Sequence, residues 1–147
     1  MQDVIVEQAR GLLGVKFHHQ GRSRATGVDC LGLLVLVAQA LQLTFEGAPL
    51  HARDRTDYGH NPDVGYLRSA LERYLTKVDA DAMQPGDVGL FLVDKRPQHL
   101  AIISDYPVGG EYGMIHAYAP LRKVVEHRMD EAWRERLVAI YRFMPQA

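Results

Sequence analysis

Hydrophobic and polar positions follow two rhythms along the chain, helical in the first half and strand-like in the second. Ile5, Ala9, Leu12 and Leu13 fall on one face of a first helix, with Asp3 as its N-cap and Gly14 as its stop. Residues 15–27 turn polar, and Gly21, Ser23, Thr26 and Gly27 mark a loop. Residues 30–43 are apolar nearly all round and too long for a strand, which predicts a helix buried in the core. Residues 51–60 are polar and irregular. Asn61-Pro62 then offers an N-cap and first-turn proline for a third helix, whose apolar face is Val64, Leu67, Leu71, Tyr74, Leu75 and Val78. The turn signal Gln84-Pro85-Gly86-Asp87 changes the rhythm. Strands are predicted at 88–93, 99–104, 113–118, 123–128 and 137–143, with a short helical piece near 130–136. Helices followed by a meander of about five strands give an α+β fold, read as a single domain over residues 1–147.

Composition narrows the function classes. The 147 residues suit one domain with a full core rather than two. The 17 basic and 18 acidic residues nearly cancel and form no runs, so no nucleic acid or anionic membrane is expected as a partner. The longest apolar segment, residues 31–41, includes Gln39 and is too short to span a bilayer, so no membrane insertion is expected. Residues 1–14 carry Asp3 and Glu7 and lack a basic start before an apolar stretch, so a secretory signal is not expected there. The single cysteine, Cys30, rules out an internal disulfide and leaves two readings, an inert buried thiol or a nucleophile.

Cys30 follows the good N-cap residue Asp29, so it falls in the first turn of the apolar helix. Unpaired N–H groups and the positive end of the helix dipole favour a thiolate there, and the same N–H groups suit an oxyanion. The Asp29 charge opposes the thiolate unless the carboxylate turns into the cap. Pro107 and Gly109-Gly110 link two strands as a hairpin. With the turn centred between Val108 and Gly109, Ala101 lies opposite His116, and His99 is its diagonal neighbour on the same face. A slip of one residue would separate the two histidines. The pair offers a base for the thiol proton and a third group to orient the base.

Other polar residues carry weaker signals. His18 and His19 are a solvated loop pair or substrate contacts, and Gln20 is a surface residue or a side-chain oxyanion donor. His51, His60 and His127 have no partner at ligand spacing. With no HExxH and no second cysteine, neither a metal site nor a cofactor is expected. Arg53-Asp54-Arg55 with Asp57 reads as a solvated loop able to line a cleft, and Trp133 as packing.

At these residues the sequence resembles the NlpC/P60 family of cell-wall peptidases. The resemblance runs through Gly27-Val28-Asp29-Cys30-Leu31-Gly32-Leu33, Gln84-Pro85-Gly86-Asp87, Gln98-His99-Leu100-Ala101-Ile102-Ile103 and Met114-Ile115-His116-Ala117, in family order. It implies a compact papain-like fold, with Cys30 as nucleophile, His99 as base and His116 as the orienting residue. It also implies an amide of the peptidoglycan stem peptide as substrate, with Asp29 recognising the substrate amine. Leu31 stands where the family usually has Ser, and Phe17 where it often has Tyr. Leu31 and Phe17-His18-His19-Gln20-Gly21-Arg22 resemble the phage and prophage branch, whose members sit at the tail tip or hub. That branch implies a virion location or a prophage-encoded product acting at the host wall, with other tail proteins as partners. A structural tail component with little or no hydrolysis, and a transferase using the same thioester, stay open beside the hydrolase.

Overall fold

The computed structural model describes residues 1–58, 65–106 and 110–146. Asn61, Pro62 and Val64, expected to open the third helix, lie outside the described residues, as do His60 and the turn residues 107–109. The first helix, α1 (Gln2–Arg10), begins two residues earlier than Asp3 would place it: Met1 occupies the cap position and Asp3 sits in the first turn. An acidic residue there is still favourable against the helix dipole. Ile5, Val6, Ala9 and Leu12 are buried, whereas Leu13 faces outward.

One short pair, β1 (Arg22–Ser23) with β2 (Gly27–Val28), frames the loop before the apolar helix. That helix, α2 (Cys30–Ala40), ends three residues short of the expected limit, and Gln42 just beyond it has a left-handed φ of 53°. A further short pair, β3 (Thr44–Phe45) and β4 (Ala48–Pro49), precedes α3 (Tyr66–Tyr74).

The main sheet has six antiparallel strands rather than five, in the order β5-β10-β6-β7-β8-β9. They are β5 (Leu75–Val78), β6 (Val88–Val93), β7 (Arg96–Asp105), β8 (Tyr112–Tyr118), β9 (Lys123–Arg128) and β10 (Leu137–Phe143), with α4 (Glu131–Arg136) before the last. The extra strand, β5, was expected as the end of the third helix. Leu75 is instead extended, and Leu75 to Val78 pair with Phe143 to Ile140 at the sheet edge. Leu75 and Val78 fit a helical face by spacing, but the unpaired edge of β10 offers backbone hydrogen bonds that a longer helix would leave unmade.

Both faces of the sheet are covered. Leu100 and Ile102 of β7 join the large core with α1, α2 and α3, while Ala101 and Ile103 point the other way, onto Met129 and Trp133. The turn before β6 is clamped from within: Asp87 is fully buried and accepts from Arg142 Nε (2.7 Å), Arg142 Nη2 (2.9 Å), the Gln84 N–H (2.8 Å) and Gln2 Nε2 (3.1 Å). Gly86 turns here with φ 94°, and a Cβ on it would meet the Gln2 backbone at 2.9 Å.

Candidate active site

The start of α2 is fixed by Asp29, whose backbone is extended and whose side chain accepts from the Gly32 N–H at 2.8 Å. The carboxylate is occupied on every side. Oδ1 also accepts from Arg22 Nη1 at 2.9 Å, while Oδ2 takes the Gln20 N–H at 3.0 Å and the Tyr58 hydroxyl. Arg22 in turn grips Asp54 (2.7 and 3.1 Å) and the Tyr58 oxygen (2.6 Å). Burial lowers the pKa of Arg22, but its bonds to Asp54 and Tyr58 outweigh this and raise it, so the guanidinium stays charged. Burial, and then the bond to Asp29, push the Tyr58 hydroxyl up, so it remains a donor.

Cys30 is half-buried at the first position of α2. The expected activation of its thiol by the helix end is overridden. Burial, and then the Asp29 charge, push the thiol up to about 12, against backbone hydrogen bonds from Leu100 and Leu31 and the attraction of Arg22. Cys30 and His99 line the same open cleft of about 740 Å³, with Tyr58, Tyr118, Lys95 and Arg136 among its other walls.

The hairpin register is the expected one: Ile102 pairs with Ile115 and Ile103 with Met114, which puts Ala101 opposite His116 one step on. His99 Nε2 and His116 Nδ1 are 2.7 Å apart. The pairing continues beyond what the sequence disclosed. His116 Nε2 lies 2.8 Å from His127 Nε2 on β9, and His127 Nδ1 lies 2.8 Å from the carbonyl oxygen of Arg128. Trp133 covers all three rings, with centroid separations of 5.8 Å to His99, 5.2 Å to His116 and 6.0 Å to His127. Burial holds His99 down to about 4, helped by the charges of Arg136 and His127. Burial likewise holds His116 down to about 2, with repulsion from His99 and His127 adding to it.

Cys30, His99, Asp29 and His19 thus meet at the cleft, and His116 stands directly behind His99. Gln20 does not line the cleft, and its side-chain amide donates to the Tyr58 carbonyl instead. Tyr58, from another loop, donates its hydroxyl to Asp29, and Asp54 is an ion-pair partner rather than a solvated loop residue. His127, Tyr58 and Arg22 escaped sequence reasoning. For His127 a signal existed, since four residues link β8 to β9 and the hairpin reasoning applies to that link as well. Among the described residues, no group of three or more His, Cys, Asp or Glu side chains converges as a metal site.

Comparisons with known proteins agree with this fold. A 1.79 Å crystal structure of an NlpC/P60 family protein from Bacillus cereus superposes with a TM-score of 0.68 at 21% identity, covering 99% of this chain and 41% of that one. The NlpC/p60 domain of the peptidoglycan hydrolase SagA gives 0.63 at 20% identity, covering 96% and 97%. The peptidoglycan hydrolase RipB of Mycobacterium tuberculosis gives 0.58 at 13% identity, covering 99% and 65%. The chain therefore spans less than half of the B. cereus protein. At these identities the likeness is one of fold. No curated protein sequence matches the chain. The sequence profile of the NlpC/P60 family matches residues 14–142, from just beyond the first helix into the last strand, and the chain belongs to that family.

Proposed function

We propose that this chain is a cysteine peptidase that hydrolyses amide bonds in peptidoglycan stem peptides, with Cys30 as nucleophile, His99 as base and His116 orienting it. The observation that carries this reading is the convergence of Cys30 and His99 on one open cleft, with the far nitrogen of His99 held by a buried His116. Because His116 engages Nε2, Nδ1 of His99 is left for the thiol. In the reaction the thiol proton passes to His99 Nδ1 as sulfur bonds to the carbonyl carbon. Within α2 the Gly32 N–H is taken by the Asp29 side chain and the Leu33 N–H by the Asp29 carbonyl. The Leu31 N–H already bonds the Cys30 sulfur, so the Cys30 N–H is the helix donor left for the oxyanion. His99 returns the proton to the departing amine, which leaves a thioester. Water, deprotonated by His99, cleaves it to a carboxylate and restores the thiol.

The fold shared with the hydrolases SagA and RipB supports peptidoglycan as the substrate class. Recognition of a substrate amine by Asp29 requires that the amine displace Tyr58 or Arg22, since the carboxylate is already filled. Leu31 and the 17–22 segment support a finer placement at a phage tail tip or hub, acting at the host wall beside other tail proteins. The upward push on the Cys30 thiol favours a second reading, in which such a component keeps the fold and cleaves little. Mass analysis of fragments from purified peptidoglycan decides between them. New stem-peptide termini are expected with the hydrolase, and an undegraded wall preparation would leave the structural reading.

A further inference from the structure

The three histidines form a directed chain whose direction is set at its far end. A backbone carbonyl only accepts hydrogen bonds, so the 2.8 Å contact from His127 Nδ1 to the Arg128 oxygen requires a proton on Nδ1. Neutral His127 then carries a lone pair on Nε2. The 2.8 Å contact between His116 Nε2 and His127 Nε2 must therefore be donated by His116, which leaves a lone pair on His116 Nδ1. That atom accepts from His99 Nε2 at 2.7 Å, and the remaining lone pair of His99 falls on Nδ1. His116 and His127 each have one proton and a partner on both ring nitrogens, so fixing one ring fixes the next.

We propose that His127 is a positioning residue for the reaction, selecting through His116 the His99 tautomer whose Nδ1 can take the thiol proton. The proposal rests on the assignment of Cys30 and His99 as nucleophile and base. Its geometry comes from the sheet: His99, His116 and His127 lie on neighbouring strands β7, β8 and β9, each stepping diagonally across one pair. Trp133 lies over all three rings, which limits the access of water that would otherwise act as donor or acceptor. The direction also suits the charged state. When His99 holds the thiol proton, its Nε2–H still points at a lone pair on His116, so no ring has to turn during turnover.

The test reads tautomers first and turnover second. In ¹⁵N spectra of the histidine rings of the wild-type protein, His99 and His116 are expected as Nε2–H and His127 as Nδ1–H. A spectrum with His116 protonated on Nδ1 overturns the proposal whether or not the chain cleaves peptidoglycan, so it is separable from a failure of the proposed function. Replacing His127 by Gln keeps an oxygen able to accept from His116 Nε2–H, whereas Leu removes it. H127L is expected to lose about 10- to 100-fold in kcat, the usual scale for losing the partner that orients an essential imidazole, with little change in KM. H127Q is expected to recover most of that loss. Equal turnover in H127L and wild type, or equal losses in H127L and H127Q, contradicts the assignment.

Discussion

Cys30 sits where opposing influences meet. The helix end and backbone hydrogen bonds from Leu100 and Leu31 favour the thiolate, while burial and Asp29 favour the thiol and prevail, pushing it up to about 12. With His99 held down to about 4, the resting pair is a neutral thiol beside a neutral imidazole, and the proton moves only as sulfur attacks. Two pH dependences follow. Labelling of Cys30 by a thiol-directed electrophile should be slow near pH 6 and rise about tenfold per unit through roughly pH 9, tracking the thiolate fraction. A plateau already reached near neutrality would instead reveal a thiolate–imidazolium pair. The acid limb of kcat/KM should lie near 4 rather than at the ordinary histidine value, because protonating His99 removes the base. The candidate trio was legible because its residues recur in ordered motifs at predictable hairpin positions. The Arg22–Asp54–Tyr58 network was not, since its members come from separate loops 32 and 36 positions apart.

At the level of elements, the site depends on how tightly the loop before α2 meets the helix. A Cβ on Gly32 would lie 2.1 Å from the Gly21 carbonyl oxygen, a backbone atom that cannot swing aside. Gly32→Ala should therefore cost about 3 kcal/mol by overpacking and displace the Asp29 cap with it. Urea titration measures this, and an unchanged midpoint would mean that the contact does not fix the helix start. The β7–β8 hairpin shows why pattern reading succeeded: a short link and two apolar strands leave one register that buries both faces. The same logic across Ala119–Leu121 would have found His127, since His116 pairs with Val125 and His127 lies two residues on. The β5 strand was hidden for a different reason. Leu75 and Val78 satisfy helical and strand spacing alike, and only the edge of β10 selects between them.

Across the whole molecule, helices α1 to α3 cover one face of the sheet and α4 with Trp133 covers the other, which explains the continuous apolar runs in β6 and β7. The histidines inside this double cover couple stability to pH. His99 and His116 are neutral when folded, and protonate near 6.5 when unfolded. Their depressed pKa values contribute stability that is complete above about pH 6.5. It falls away through about 4 for His99 and toward 2 for His116, by about 1.4 kcal/mol per pH unit for each group. Urea midpoints should drop steeply between about pH 7 and pH 4.5, and a flat profile would mean that the rings are not buried as neutral groups. The central claim, covalent hydrolysis by Cys30, is tested most directly by release of soluble fragments from purified peptidoglycan by wild type and by Cys30→Ala, with the thermal melt of each recorded. Loss of at least about 1000-fold in a variant that melts like wild type is the expected result, and undiminished release by Cys30→Ala would contradict it.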